Sequence, residues 1–152
     1  MRLSTLEISE WRQNAPYIDT LCLPVYSIHI EEKQILDQQG RSVERVARLL
    51  EKKLTGRLLL LPAITYTSKD EKVFLSYLNE VIGQLSRSGF YHLILITDER
   101  HASLCGNLEI QTDAVQLLCY SLDFGENSTE EQIEQRAEVL YQKVVNMWQN
   151  TS

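Results

Sequence analysis

His29 and Glu31 stand two residues apart, so on an extended segment both side chains leave the same face. With Asp98, Glu99 or His101 from a later segment they make a set of nitrogen and oxygen ligands that suits a divalent metal. Such a metal would acidify a bound water for hydrolysis. Tyr26 lies just ahead of this pair, and Thr65 and Tyr66 follow the longest apolar run of the chain, residues 58–64. The plain alternative is that all eight are solvated residues at strand ends, which are polar in every protein of this kind. Cys105 is the one thiol in polar surroundings and the one candidate for reactivity, whereas Cys22 and Cys119 fall inside apolar runs and read as inert. His92 opens an apolar run and reads as a packing or capping histidine.

Groups at these positions need elements that bring them together. Strands are expected at residues 20–27, 58–61, 92–97 and 115–122, each apolar on both faces, as in a parallel sheet covered on both sides. Pro24 suggests that the first of these ends or bulges there. Between them, Val43, Val46, Ala47, Leu50 and Leu54 recur at helical spacing and stop at Gly56. Val73, Phe74, Tyr77, Leu78, Val81, Ile82 and Leu85 form a second stripe, opened by a capping box from Ser68 to Glu71. A third, with Ile133, Ala137, Leu140, Val144 and Trp148, opens with a box from Ser128 to Glu131, and Ser4 with Glu7 predicts a short helix over 5–14. Residues 98–113 read as a loop or small hairpin. The alternation predicts one α/β domain over residues 1–152, a three-layer sandwich with a mainly parallel sheet of about four strands and helices on both faces. Its carboxyl edge would gather Tyr26, His29, Glu31, Thr65, Tyr66, Asp98, Glu99 and His101 around a polar groove.

The balance of 15 basic against 21 acidic residues gives a net charge of −6, which argues against a nucleic-acid partner. No run approaches the roughly 20 apolar residues of a membrane span, and no signal-peptide core opens the chain. An odd number of cysteines without a C-x-x-C pair predicts free thiols, no disulfide, and a cytoplasmic setting. No glycine-rich phosphate loop, G-x-S-x-G elbow or H-E-x-x-H pair occurs. Trp11 and Trp148, near opposite ends, would pack together or form the face of a homodimer.

The stretch Leu23-Pro24-Val25-Tyr26-Ser27-Ile28-His29, and the layout from Leu59 to Thr97, resemble the opening βα units of creatininase-type amidohydrolases. That resemblance implies metal-dependent cleavage of a C–N bond. The ligands are altered, however: His29 stands where that family has Glu, Glu31 where it has its first His, Gly40 (with Asp37 nearby) where it has Asp, and Glu99 in place of a later His. The whole chain, with Tyr17-Ile18-Asp19-Thr20 after a short capped helix, is similar to an uncharacterised YpiF-like family of bacilli. This implies a bacterial protein of unknown function.

Three functions follow. A non-catalytic α/β domain that binds a protein partner or small ligand needs no intact motif. A metal-dependent hydrolase would use His29, Glu31 and Glu99. A nucleotide-type binder would use helix N-termini but lacks the glycine-rich loop. The residues assign no catalytic, cofactor-binding or metal-ligating role and leave open whether the protein is an enzyme.

Overall fold

The computed structural model describes residues 1–36, 38–110, 114–123 and 128–150. Helix α1 (Ile8–Asn14) leads into strand β1 (Thr20–Ser27), a hairpin of β2 (His29–Glu31) and β3 (Gln34–Leu36), and helix α2 (Gln38–Lys53). Strands β4 (Leu58–Leu60) and β5 (Ile64–Tyr66) precede α3 (Glu71–Leu85). Then come β6 (His92–Asp98), the single turn α4 (Leu104–Asn107), β7 (Gln116–Leu122) and α5 (Glu130–Gln149). All pairings in the main sheet are parallel, in the order β4-β1-β6-β7 with β5 also on β1, while β2 and β3 pair antiparallel with each other.

Pro24 does not end β1; it breaks the neighbouring strand. The Cys22 carbonyl accepts from Leu61 N (2.9 Å), and Ile28 N donates to the Tyr66 carbonyl (2.9 Å), so even-numbered residues of β1 turn their peptide groups toward that neighbour. Pro24 has no N–H to offer it. The pairing accordingly stops after Cys22↔Leu60 and resumes at Val25↔Ile64, and one expected strand becomes β4 and β5.

The two faces of the strands build two cores. Cys22, Leu58, Leu60, Ile94 and Ile96 pack under α2 and α5. Leu21, Leu23, Val25, Leu59, Leu93 and Leu95 pack under α3, with Trp11 of α1 partly covering the same side. The two tryptophans therefore do not meet: Trp11 stacks on Phe90 (6.2 Å between ring centres), and Trp148 lies on the opposite face with Arg57 over its ring at 3.8 Å.

Several expectations need correction. Val73 is 56% exposed because the buried stripe of α3 runs through Phe74, Leu78 and Ile82, one residue out of phase; Val81 and Leu85 are half-buried. The cap of α3 is Asp70, accepting from Lys72 N and Val73 N, not Ser68. In α5 the capping box is Thr129 with Gln132, one residue later than expected. The first helix splits into a 3-10 turn (Leu3–Thr5) and α1, since Leu6 is extended. In place of the loop or small hairpin expected over residues 98–113, Asp98 ends β6 and is followed by a 3-10 turn (Glu99–His101) and α4, while 108–110 are loop and 111–113 lie outside the described residues. The expectation of three free thiols fails: Cys105 of α4 and Cys119 of β7 form a disulfide across 5.3 Å between their Cα atoms, and only Cys22 remains a free thiol. Packing α4 on the edge strand brought together two residues that are 14 apart in sequence.

Candidate functional site

After β1 the chain first builds β4 and β5 on one side of it and then crosses to place β6 on the other. The crevice outside the carboxyl ends of β1 and β6 is therefore a topological switch point, where open α/β sheets bind ligands. The sequence ends both strands there with polar residues after long apolar runs: Ser27 on β1, Thr97 and Asp98 on β6. The following 3-10 turn supplies Arg100 and His101.

These side chains are buried, with Ser27 1%, Thr97 0%, Asp98 2% and His101 9% exposed. The Ser27 hydroxyl and His101 Nε2 share a hydrogen bond of 2.9 Å. Arg100 donates from one Nη to Asp98 Oδ2 (2.8 Å) and to the Ser27 carbonyl (3.3 Å). Phe74 meets the His101 ring at 5.0 Å in an edge-on arrangement, and Tyr66 stacks on Phe74 at 4.3 Å while its hydroxyl donates to the Asp70 carbonyl. Burial pushes the His101 pKa down; the Asp98 carboxylate opposes this and the Arg100 guanidinium adds to it. His101 is thus a neutral imidazole near pH 7.

A serine hydrogen-bonded to a histidine is the start of a nucleophilic site. Here the Ser27 hydroxyl is taken up by His101, and the Asp98 carboxylate, the nearest group that could orient the imidazole, is engaged by Arg100 instead. The pair acts instead as a clamp that ties the turn after β6 to the end of β1. Elsewhere in the fold, polar atoms are left over. Five buried side-chain atoms among the described residues lack a hydrogen-bond partner: Gln39 Oε1, His92 Nδ1, Thr97 Oγ1, Asp98 Oδ1 and Arg100 Nε. All but His92 belong to residues at the carboxyl edge, since Gln39 lies in the first turn of α2. Tyr26 fixes that turn: its ring lies so close to Gly40 that a Cβ there would overlap it.

Of the eight residues singled out in sequence, Asp98, His101 and Tyr66 belong to this arrangement. Tyr26 is half-buried on the α2 side, and Thr65 and Glu99 are exposed. His29 opens the β2–β3 hairpin, and Glu31 on it is exposed and paired with Lys69 at 2.8 Å. That bond and charge hold the Glu31 carboxyl below its usual range. Among the described residues no three His, Cys, Asp or Glu side chains gather as metal ligands, so His29, Glu31 and Glu99 do not form the set that their sequence positions suggested. Asp37 lies outside the described residues. Ser27, Thr97, Arg100 and Gln39 were not singled out; the one sequence signal was a polar residue closing an apolar strand.

A groove of about 350 Å³ lies elsewhere, between the N-terminal segment and the β4 side of the sheet, lined by Leu3, Leu6, Trp11, Leu59, Leu85 and Phe90. Its lining is almost wholly apolar, with Glu7 and Ser88 the polar exceptions, so it lacks the convergent polar groups of a specific ligand site.

A family model described as "Protein of unknown function (DUF2487)" matches residues 9–148. The uncharacterised protein YpiF of Bacillus subtilis (strain 168) is 27% identical over 100 residues, covering 65% of this chain and 66% of that protein. The YpiF-like resemblance thus stands, whereas the creatininase-type one finds no support. No solved structure matches. Among the described residues no helix is long and apolar enough to cross a membrane.

Proposed function

The chain belongs to the family of unknown function DUF2487, and from that premise we propose that it is a non-catalytic domain binding a small, uncharged polar ligand outside the carboxyl ends of β1 and β6. The observation that carries this reading is the set of unpartnered buried atoms on Gln39, Thr97, Asp98 and Arg100. Buried polar atoms are almost always hydrogen-bonded in folded proteins, because an unmet one costs about 1–3 kcal/mol. The amino acids that carry them name the ligand's chemistry. Gln39 Oε1 and Asp98 Oδ1 accept, Arg100 Nε donates and Thr97 Oγ1 does either. The Asp98 and Arg100 charges offset each other across 2.8 Å. Thr97 and Asp98 alternate along β6, so Thr97 belongs to the α3 face and Asp98 to the α2 face that Gln39 shares. An uncharged molecule with N–H or O–H donors and at least one acceptor complements Gln39, Asp98 and Arg100: an amide, a nucleobase edge or a polyol.

The test is ligand-observed saturation-transfer NMR with nicotinamide, cytidine and glucose, each at millimolar concentration, beside phosphate, citrate and zinc as charged competitors. Transfer to at least one uncharged probe, lost in Asp98→Ala and undisturbed by the charged species, is expected. Absence of transfer from all three, or transfer that survives Asp98→Ala, overturns the proposal.

A further inference from the structure

We propose that the Cys105–Cys119 bond is a redox latch on the switch-point site, closed when oxidised and loosened when reduced. This inference rests on the ligand-binding reading and adds its regulation. The turn that carries Arg100 and His101 has little backbone anchorage of its own. Ala102 N bonds to Glu99 O, Cys105 N to Ala102 O, Gly106 N to Ser103 O and Leu108 N to Leu104 O, all within the segment. The four residues of α4 are far too few to hold a helix alone. What ties the segment to the sheet is the side-chain pair Ser27–His101, the Arg100 bonds, the buried Leu104 and the disulfide, and one further bond, from Glu109 N to Asn79 (2.9 Å), ties it to α3.

Among these ties the disulfide alone is covalent, and chemistry can switch it. Cys119 lies on β7, the edge strand, paired in register with Leu95 of β6. Through it, α4 is fixed to the same β6 that ends in Thr97 and Asp98. Both sulfurs belong to half-buried residues, which a reductant can approach. Cys22, fully buried, is by contrast a thiol that neither donor nor oxidant reaches; burial also pushes its pKa far up, leaving almost no thiolate.

The opening step needs a dithiol reductant. Its thiolate attacks one sulfur of the Cys105–Cys119 bond and forms a mixed disulfide, and the second sulfur leaves as a thiolate that takes up a proton. The donor's second thiol then displaces the protein sulfur. Two electrons and two protons pass to the protein, which gains two free thiols beside Cys22, and the donor becomes a disulfide. Freed from β7, the segment no longer holds Arg100 and His101 over Ser27 and Asp98.

The experiment compares oxidised protein, protein reduced with dithiothreitol, and Cys105→Ser/Cys119→Ser. Thiol counting in denaturant should find one thiol before reduction and three after. Amide hydrogen exchange across residues 99–108 should speed up on the order of tenfold on reduction and in the double variant, with α5 unchanged. Affinity for whichever of nicotinamide, cytidine or glucose gives saturation transfer should fall by about tenfold, within the usual range of coupling between sites. Three thiols before reduction overturn the latch. Faster exchange with unaltered probe affinity also overturns it while leaving the ligand reading intact. If no probe binds the oxidised protein, the ligand reading fails first and the latch falls with it.

Discussion

At the amino end of the sheet, Thr20 donates to Asp19 (2.8 Å) and accepts from the Trp148 indole (3.0 Å), so its buried hydroxyl is fully used. Asp19 also takes the Arg57 guanidinium at 3.0 Å, its carbonyl accepts from Tyr91 N and His92 N, and Arg57 covers Trp148. One residue thus knots the starts of β1, β4 and β6 to α5. At the carboxyl end Thr97, equally buried, has no partner among the described residues, and neither do Asp98 Oδ1, Arg100 Nε or Gln39 Oε1. His92 Nδ1 is the single such atom at the amino end. Both ends carry a buried threonine beside an aspartate and an arginine, yet at one end they are spent on the fold and at the other they are partly held back. A residue's type therefore says little about its role; whether its hydrogen bonds are met says more.

The core between the two ends sets the energy scale. Leu78→Ala removes a wholly buried side chain from under the sheet and should cost about 2–5 kcal/mol in denaturant unfolding. A loss below about 0.5 kcal/mol would show that α3 does not carry the core assigned to it.

Trp148→Ala is the strongest blow to the amino end. It deletes the ring under Arg57 and leaves Thr20 with one bond instead of two, for an expected loss of about 2–4 kcal/mol, somewhat under the value for a fully buried aromatic. An unchanged unfolding midpoint would mean that the knot at this end is not built as described.

A smaller effect separates the ends by pH. Burial lowers the pKa of His92 at the amino end and of His101 at the carboxyl end, so the folded chain binds fewer protons than the unfolded one. Stability is then complete above the ordinary histidine pKa of about 6.5 and declines as pH falls through it toward the lower folded values. His101→Gln should remove part of that slope and His92→Gln another part. Identical slopes in both variants and the parent chain would count against both burials.

The strands were legible because they are apolar on both faces: β1 and β6 lie where their runs of Leu, Val and Ile place them. The β2–β3 hairpin was not, since its turn sets Glu32 and Lys33 at φ of 49° and 65°, positions that sequence patterns reserve for Asn and Gly. Nor was β5, whose start is masked by Pro62 and by the break that Pro24 imposes from the strand beside it. The disulfide depended on α4 folding onto β7, a contact that no local pattern encodes. In the site, Asp98, His101 and Tyr66 stood out as residue types. Thr97 and Ser27 resembled any polar residue closing a strand, and an unmet hydrogen bond exists only once the chain is folded.

Thr20 and Thr97 allow the most direct test, because both are completely buried and one substitution serves for both. Valine keeps the shape and removes the hydroxyl. Thr20→Val should lose about 1–3 kcal/mol, since it removes both hydrogen bonds of the buried hydroxyl, the one to Asp19 and the one from the Trp148 indole. Thr97→Val should leave stability unchanged or raise it by up to about 1 kcal/mol, because the hydroxyl it removes has no partner among the described residues. Denaturant unfolding of the two variants beside the parent chain decides the matter. Loss at position 20 with none at 97 is the predicted result, and equal losses at both would contradict a carboxyl end that holds its polar groups in reserve.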